Sequence, residues 1–279
     1  MEFRESISIQ IIAGYLMKKI FLPVLIILFL NCCYAQQQFQ LAPPMLKSGS
    51  VFFRGSAIVQ LQFAQPGTRI FYTLNNTEPL ENDSVYSKPI VIKKSLTTLK
   101  AKVFGKGYLP SEIVEATFIK DGLKIKSIEQ PGADEKFTGN GPQTLFDNEG
   151  GVPDLHNKNF LGYQKDSIEI NVTLEKKEKI NSVLLNFLQD HGSWIFLPQK
   201  IEVMYFDIKK NMYVPMGKKE IPVDTIIKGS STVYEIIRAG KKISSDKLKI
   251  VLKPVQSLPG GHPGVGKQSW LFIDEIKIY

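Results

Sequence analysis

The chain has 279 residues, 35 of them Lys or Arg against 27 Asp or Glu, a formal charge of +8, and two cysteines. Both cysteines fall within the first 33 residues, so a chain cut after Ala35 carries none, which excludes disulfides, zinc–thiolate centres and cysteine nucleophiles. Without residues 1–35 the balance is 32 basic to 25 acidic, or +7. That surplus suits nucleic acid, acidic polysaccharide or an anionic surface, but the lysines are scattered pairs such as Lys93-Lys94, Lys176-Lys177 and Lys241-Lys242, without the aromatic interleaving of a nucleic-acid stripe.

Residues 1–35 read as a targeting segment. Lys18-Lys19 precede an apolar run over 20–30, and Cys33-Tyr34-Ala35 offers small residues at a signal-peptidase site, with Met17 as the expected start. The run is shorter than the roughly 20 apolar residues of a membrane span. Export to the periplasm, cell surface or exterior is expected; the alternative is a lipoprotein acylated at Cys32 or Cys33.

Residues 36–50 form an aperiodic lead-in. Alternation then predicts a strand over 69–74, a turn at Asn75-Asn76-Thr77-Glu78-Pro79 and a strand over 99–104. Asp121-Gly122 is a turn signal and sets the expected boundary between modules of 36–121 and 122–279. Ile70, Tyr72-Thr73-Leu74, Glu78-Pro79, Tyr86, Pro89-Ile90, Leu99-Lys100-Ala101, Gly107 and Ser111 resemble the chitobiase/β-hexosaminidase C-terminal domain, an accessory β-sandwich of secreted glycan-degrading enzymes. Asn75-Asn76 replaces that family's usual Asp-Gly; both pairs tolerate left-handed backbone.

The second module opens with a strand over 123–128, then a loop over 130–160 rich in Gly, Pro, Asn and Asp. Strands are predicted over 167–174, 180–188, 200–206, 247–252 and 270–279, and no apolar stripe of helical period occurs. The chain is therefore all-β, a small immunoglobulin- or fibronectin-like sandwich followed by a second β module. Thr144-Leu145-Phe146-Asp147, the run from Asn159 to Gln164, Gly192-Ser193-Trp194, His262-Pro263-Gly264 and Asp274-Glu275-Ile276 resemble a discoidin-type, galactose-binding-like jelly roll. The closest variant follows the first module at the C-terminus of secreted family 20 β-N-acetylhexosaminidases.

Gly261-His262-Pro263-Gly264-Val265-Gly266-Lys267 nearly spells a P-loop, but Gln268 stands where Ser or Thr must bind Mg²⁺ and a strand follows instead of a helix, so no nucleotide is expected. His156, His191 and His262 are too dispersed for a zinc site. A glycosidase needs two carboxylates flanking the scissile bond, and Asp274-Glu275 on a strand are expected to face opposite ways, so no catalytic residue is assigned.

The loop from Asp147 to Asp154 offers hard oxygen donors with glycines between them. The discoidin resemblance implies a structural Ca²⁺ held by Asp147, Asp154 and Glu275; the alternative is a solvated acidic loop. Aromatic rings in loops can stack on sugars, which nominates Trp194 beside His191, and His262 with Trp270, although each tryptophan also borders core sequence. Three Asp-Ser/Thr-aliphatic triplets (Asp83-Ser84-Val85, Asp166-Ser167-Ile168, Asp224-Thr225-Ile226) resemble an O-glycosylation signal of secreted Bacteroidetes proteins. The functional expectation is an exported, non-catalytic carbohydrate-binding protein for glycans containing N-acetylhexosamine or galactose, with a glycoside hydrolase as a possible companion. The alternatives are the accessory part of a β-N-acetylhexosaminidase, and a structural or protein-binding surface module.

Overall fold

The computed structural model describes residues 38–279. The expected targeting segment, with Cys32 and Cys33, lies outside the described residues.

Eight strands build the N-terminal part: β1 (Met45–Lys47), β2 (Phe52–Phe53), β3 (Ala57–Gln62), β4 (Thr68–Thr73), β5 (Ser84–Val85), β6 (Ile90–Ile92), β7 (Thr97–Gly105) and β8 (Val114–Lys120). They form two sheets, β1-β3-β6 and β2-β8-β7-β4-β5. Strict alternation makes this possible. β3 buries Ala57, Val59 and Leu61, and β7 buries Leu99, Ala101 and Val103, with exposed or half-exposed residues between them. These faces meet Ile70, Ile92 and Phe118 in one core. At the end of β4, Asn76 takes φ 67°, and Asn75 Oδ1 accepts hydrogen bonds from the Thr77 hydroxyl (2.6 Å) and amide, so the Asn-Asn turn holds as expected.

Seven strands build the remainder: β9 (Ile125–Glu129), β10 (Leu161–Tyr163), β11 (Ile168–Gln189), β12 (Lys200–Asp207), β13 (Met212–Glu220), β14 (Ser231–Lys253) and β15 (Leu271–Ile278). Their order is β10-β15-β11-β14-β12-β13, with β9 also paired to β11. The two long strands organise this sheet. β11 and β14 pair along their lengths but shift register between Thr173 and Glu178 and again between Ile180 and Ser182. Residues on both sides of these breaks, Ile168, Ile170 and Val172 before and Val183, Leu185 and Phe187 after, enter one core, so the ladder folds over on itself as in a jelly roll. The whole described chain contains strands and short 3₁₀ turns and is all-β, as expected.

The outer face of the second half of β11 is also buried, which needs a second covering layer. Leu184 packs with Phe52 and Ile119 of the N-terminal part, while Leu188 packs with Phe160, Ile195 and Phe272. Tyr279 Oη donates to the Lys120 carbonyl at 2.6 Å, and the Leu123 amide donates to the Ile278 carbonyl at 2.7 Å. The same cover lies over the polar residues of β15.

Candidate functional site

The four residues nominated as a sugar platform converge at one end of the jelly roll, but as packing. A tight turn follows β11: Asp190 and Ile195 exchange backbone hydrogen bonds at 3.0 and 2.9 Å, and Trp194 adopts φ 64°. This lays the His191 ring flat on Phe196, with centroids 4.0 Å apart at 5°. His191 is 1% exposed. Its Nδ1 lies 3.1 Å from both the Ile226 carbonyl and the Lys228 amide, and its Nε2 lies 3.1 Å from Gln189 Nε2. In the Nδ1–H tautomer the ring donates to the Ile226 carbonyl and Nε2 accepts from Gln189; in the Nε2–H tautomer Nδ1 accepts the Lys228 amide. Burial holds its pKa below the ordinary histidine value.

His262 is 5% exposed; Nε2 donates to the His191 carbonyl at 2.8 Å and Nδ1 accepts the Gly264 amide at 3.0 Å. Both rings are thus engaged internally. Trp194 is half-buried against Phe196, Val255 and Leu258, and a β-carbon at Gly264 would stand 2.9 Å from its indole, so the loop backbone lies on that ring. Trp270 meets Phe137 and Phe272 edge-on at 5.2 and 6.1 Å. The loop resembling a P-loop is closed by its own turns, Leu258 to Lys267 (2.8 Å) and Val265 to His262 (3.0 Å), and runs into β15.

The nominated calcium ligands separate. Glu275 is buried on β15, Asp147 is half-buried with Oδ1 accepting the Glu149 amide at 2.8 Å, and Asp154 is exposed with Oδ1 accepting the His156 amide at 2.9 Å. Among the described residues no three His, Cys, Asp or Glu side chains are grouped to hold a metal. The position beside Glu275 already holds a cation. Lys277, two residues on and so on the same strand face, is 2% exposed and places Nζ 2.8 Å from Glu275 Oε2, 2.5 Å from Asn148 Oδ1 and 3.4 Å from Asp121 Oδ1. The donor set present therefore does not fit Ca²⁺, which takes six to eight oxygens at about 2.3–2.6 Å.

The expectation that Asp274 and Glu275 face opposite ways fails. β15 bulges between its pairings with Asn186 and Phe187, and a bulge breaks the alternation of side chains. Both carboxyls lie under the loop over 147–151. Asp274 takes Asn186 Nδ2 at 2.9 and 3.1 Å and the Gly151 amide at 2.8 Å, and Glu275 Oε1 accepts the Asn148 amide. Burial pushes Asp274 up to about 7 and Glu275 to about 8, with the Lys277 ammonium the strongest opposing influence on Glu275. We read Glu275 and Lys277 as an ion pair, since a neutral carboxyl would strand a buried ammonium. At 0% exposure neither carboxyl reaches a substrate.

An open groove of about 540 Å³ lies on another part of the surface, and nothing in the sequence pattern marked it. Ile221, Pro222, Val223 and Pro254 supply apolar lining, and Asp166, Gln199, Lys200, Glu220, Lys253 and Gln256 supply polar groups. Strand pairing brings them together: Lys200 on β12 stands opposite both Glu220 on β13 and Lys253 on β14. Side-chain amides tie the rim. Gln199 Nε2 donates to the Pro254 carbonyl at 3.0 Å, and Gln268 Nε2 donates to Gln256 Oε1 at 3.2 Å and Asp166 Oδ1 at 3.3 Å. Such amides present a donor and an acceptor together, the pairing that vicinal hydroxyls use.

A family model described as Fn3 associated matches residues 59–118, from within β3 to within β8. The comparison with curated proteins returned no match. Similar solved structures include a Ruminococcus gnavus GH29 fucosidase in complex with fucose (13% identity, 55% of this chain and 24% of that chain, TM-score 0.34). Others are a pectin binding carbohydrate binding module (16%, 56% and 91%, TM-score 0.34) and CBM32-2 of GH31 bound to GalNAc (15%, 56% and 97%, TM-score 0.35). The chain spans about a quarter of the length of the fucosidase it matches.

Proposed function

We propose that this chain is an exported, non-catalytic carbohydrate-binding protein, accessory to glycan degradation. In this reading a chitobiase-type sandwich over 36–121 is followed by a discoidin-like jelly roll over 122–279. The observation that carries the reading is the amide-rimmed groove. Its Pro and aliphatic lining suits the C–H face of a sugar; Gln199 keeps an amide hydrogen and its oxygen for hydroxyls, and Gln256, Asp166 and Glu220 offer acceptors. The sequence resemblance to accessory modules of β-N-acetylhexosaminidases supports glycans containing N-acetylhexosamine or galactose as ligands, and a glycoside hydrolase as companion. A glycan-array screen of the purified protein, repeated with Gln199→Ala/Gln256→Ala, tests this. Selective binding to such glycans is expected, weakened about tenfold or more in the variant through two lost hydrogen-bonding groups, with the fold retained by circular dichroism. A folded protein that binds no glycan would overturn it.

A further inference from the structure

We infer that Lys277 is a built-in cation standing where the discoidin resemblance calls for Ca²⁺, so that the junction of the two sandwiches is held by this chain's own ammonium and takes up no divalent metal. An ammonium has three N–H donors, and three oxygens surround this one: Glu275 Oε2, Asn148 Oδ1 and Asp121 Oδ1. The Phe52 ring adds a fourth side, its centroid 5.4 Å from Nζ. These partners come from four places in the chain: the N-terminal sandwich (Phe52), the connection between sandwiches (Asp121), the long loop (Asn148) and the last strand (Glu275). A structural Ca²⁺ would draw together the same kinds of groups, but its charge would sit against an ammonium with 2% exposure.

The remaining nominated carboxylates are turned to other partners. Glu275 Oε1 accepts the Asn148 amide, Asp147 Oδ1 accepts the Glu149 amide, and Asp154 belongs to a separate exposed turn. Among the described residues Glu275 Oε2 accepts no hydrogen bond, and the ammonium 2.8 Å away is its charge partner. The cleft above, lined by Arg54, Asp121, Lys124, Asp147, Glu175 and Lys277, carries as many positive as negative groups and so concentrates no cations.

The test is a melting-temperature series on the wild-type protein in EDTA, CaCl₂ and MgCl₂ at fixed ionic strength, with calorimetric titration of Ca²⁺. Melting temperatures within about 1 °C and no saturable heat are expected, because a ligand that binds the native state must raise its stability. Saturable Ca²⁺ binding with a rise in melting temperature that Mg²⁺ does not reproduce would overturn the inference. Lys277→Met, which keeps most of the apolar stem and removes the charge, tests the clamp. It should melt about 5 °C or more below wild type, or fail to fold, because Glu275 and Asp121 lose their counter-charge in a buried setting. A Lys277→Met protein as stable as wild type would equally overturn it.

Discussion

Gly150 and Gly151 show how much of the loop over β15 depends on single atoms. A β-carbon at Gly150 would stand 2.5 Å from the Phe52 ring, and one at Gly151 would stand 2.1 Å from Phe160, while the Gly151 amide must also reach Asp274. Neither neighbour is a flexible side-chain end; both are buried rings. Gly151→Ala is therefore expected to cost about 1–3 kcal/mol, seen as a lower denaturation midpoint with an unchanged m-value. A variant with the wild-type midpoint would show that the loop moves freely. His191 makes a different residue-scale prediction. Burial lowers its folded-state pKa from the usual 6.5, and the Ile226 carbonyl and Asp224 oppose that lowering while Lys228 and His262 add to it. The folded state thus binds this proton less readily than the unfolded chain. The stability linked to His191 is complete above pH 6.5 and declines as pH falls below it toward the folded value. Subtracting the melting profile of His191→Gln from that of wild type isolates this contribution, and the difference should shrink as the sample is acidified from pH 7 to 5.

At the scale of elements, the register breaks in the β11–β14 ladder set the shape of the jelly roll. Alternation made β7 and β12 readable to within two residues at either end, because each buries one face only. It failed where that condition failed. The segment Glu175-Lys176-Lys177-Glu178-Lys179 has the composition of a turn between two strands, yet it is the bent, solvent-exposed middle of one strand of 22 residues. The first half of β14 was missed for a like reason: Arg238, Gly240, Lys241 and Lys242 lie at the bend. β13 contains Pro215 and Gly217, which argue against a strand. It survives at the sheet edge, where the ladder to β12 slips between Val203 and Met204. The buried polar residues of β15 were visible only as a pair of acidic letters. The bulge that turns Asp274 and Glu275 to one side, and the return of Lys277 beneath them, depend on pairing with Asn186 and Phe187 from nearly ninety positions earlier. The groove was less legible still, since its rim gathers short polar stretches from four connections. Leu184 tests the element argument directly. It faces out of the jelly-roll core yet is 1% exposed under Phe52 and Ile119, so Leu184→Ala should cost about 2–5 kcal/mol, as an interior leucine does. A surface-like cost below about 0.5 kcal/mol would mean that the two sandwiches do not bury it in solution.

Across the whole molecule, the question is whether two sandwiches with separate cores unfold as one. Their hydrophobic clusters are distinct, one centred on β3, β4 and β7 and the other on β11, β14 and β15. A third cluster of Phe52, Ile119 and Leu184 lies between them, flanked by the Tyr279–Lys120 hydrogen bond and the Lys277–Asp121 ion pair. Phe52 is central to all of this: its ring fills the space left by Gly150, covers the Lys277 ammonium and packs on Ile119 of β8. Burying a phenylalanine contributes about 1.5–3 kcal/mol, and here that sum belongs to neither core alone. Coupling of this size, against domain stabilities of about 5–15 kcal/mol, is enough to hold two units of similar stability to one transition. Differential scanning calorimetry of the wild type should therefore show a single endotherm, and Phe52→Ala should lower it and split it in two. Two resolved endotherms in the wild type would mean that the junction is a tether, and that the residues around Lys277 stabilise the jelly roll alone.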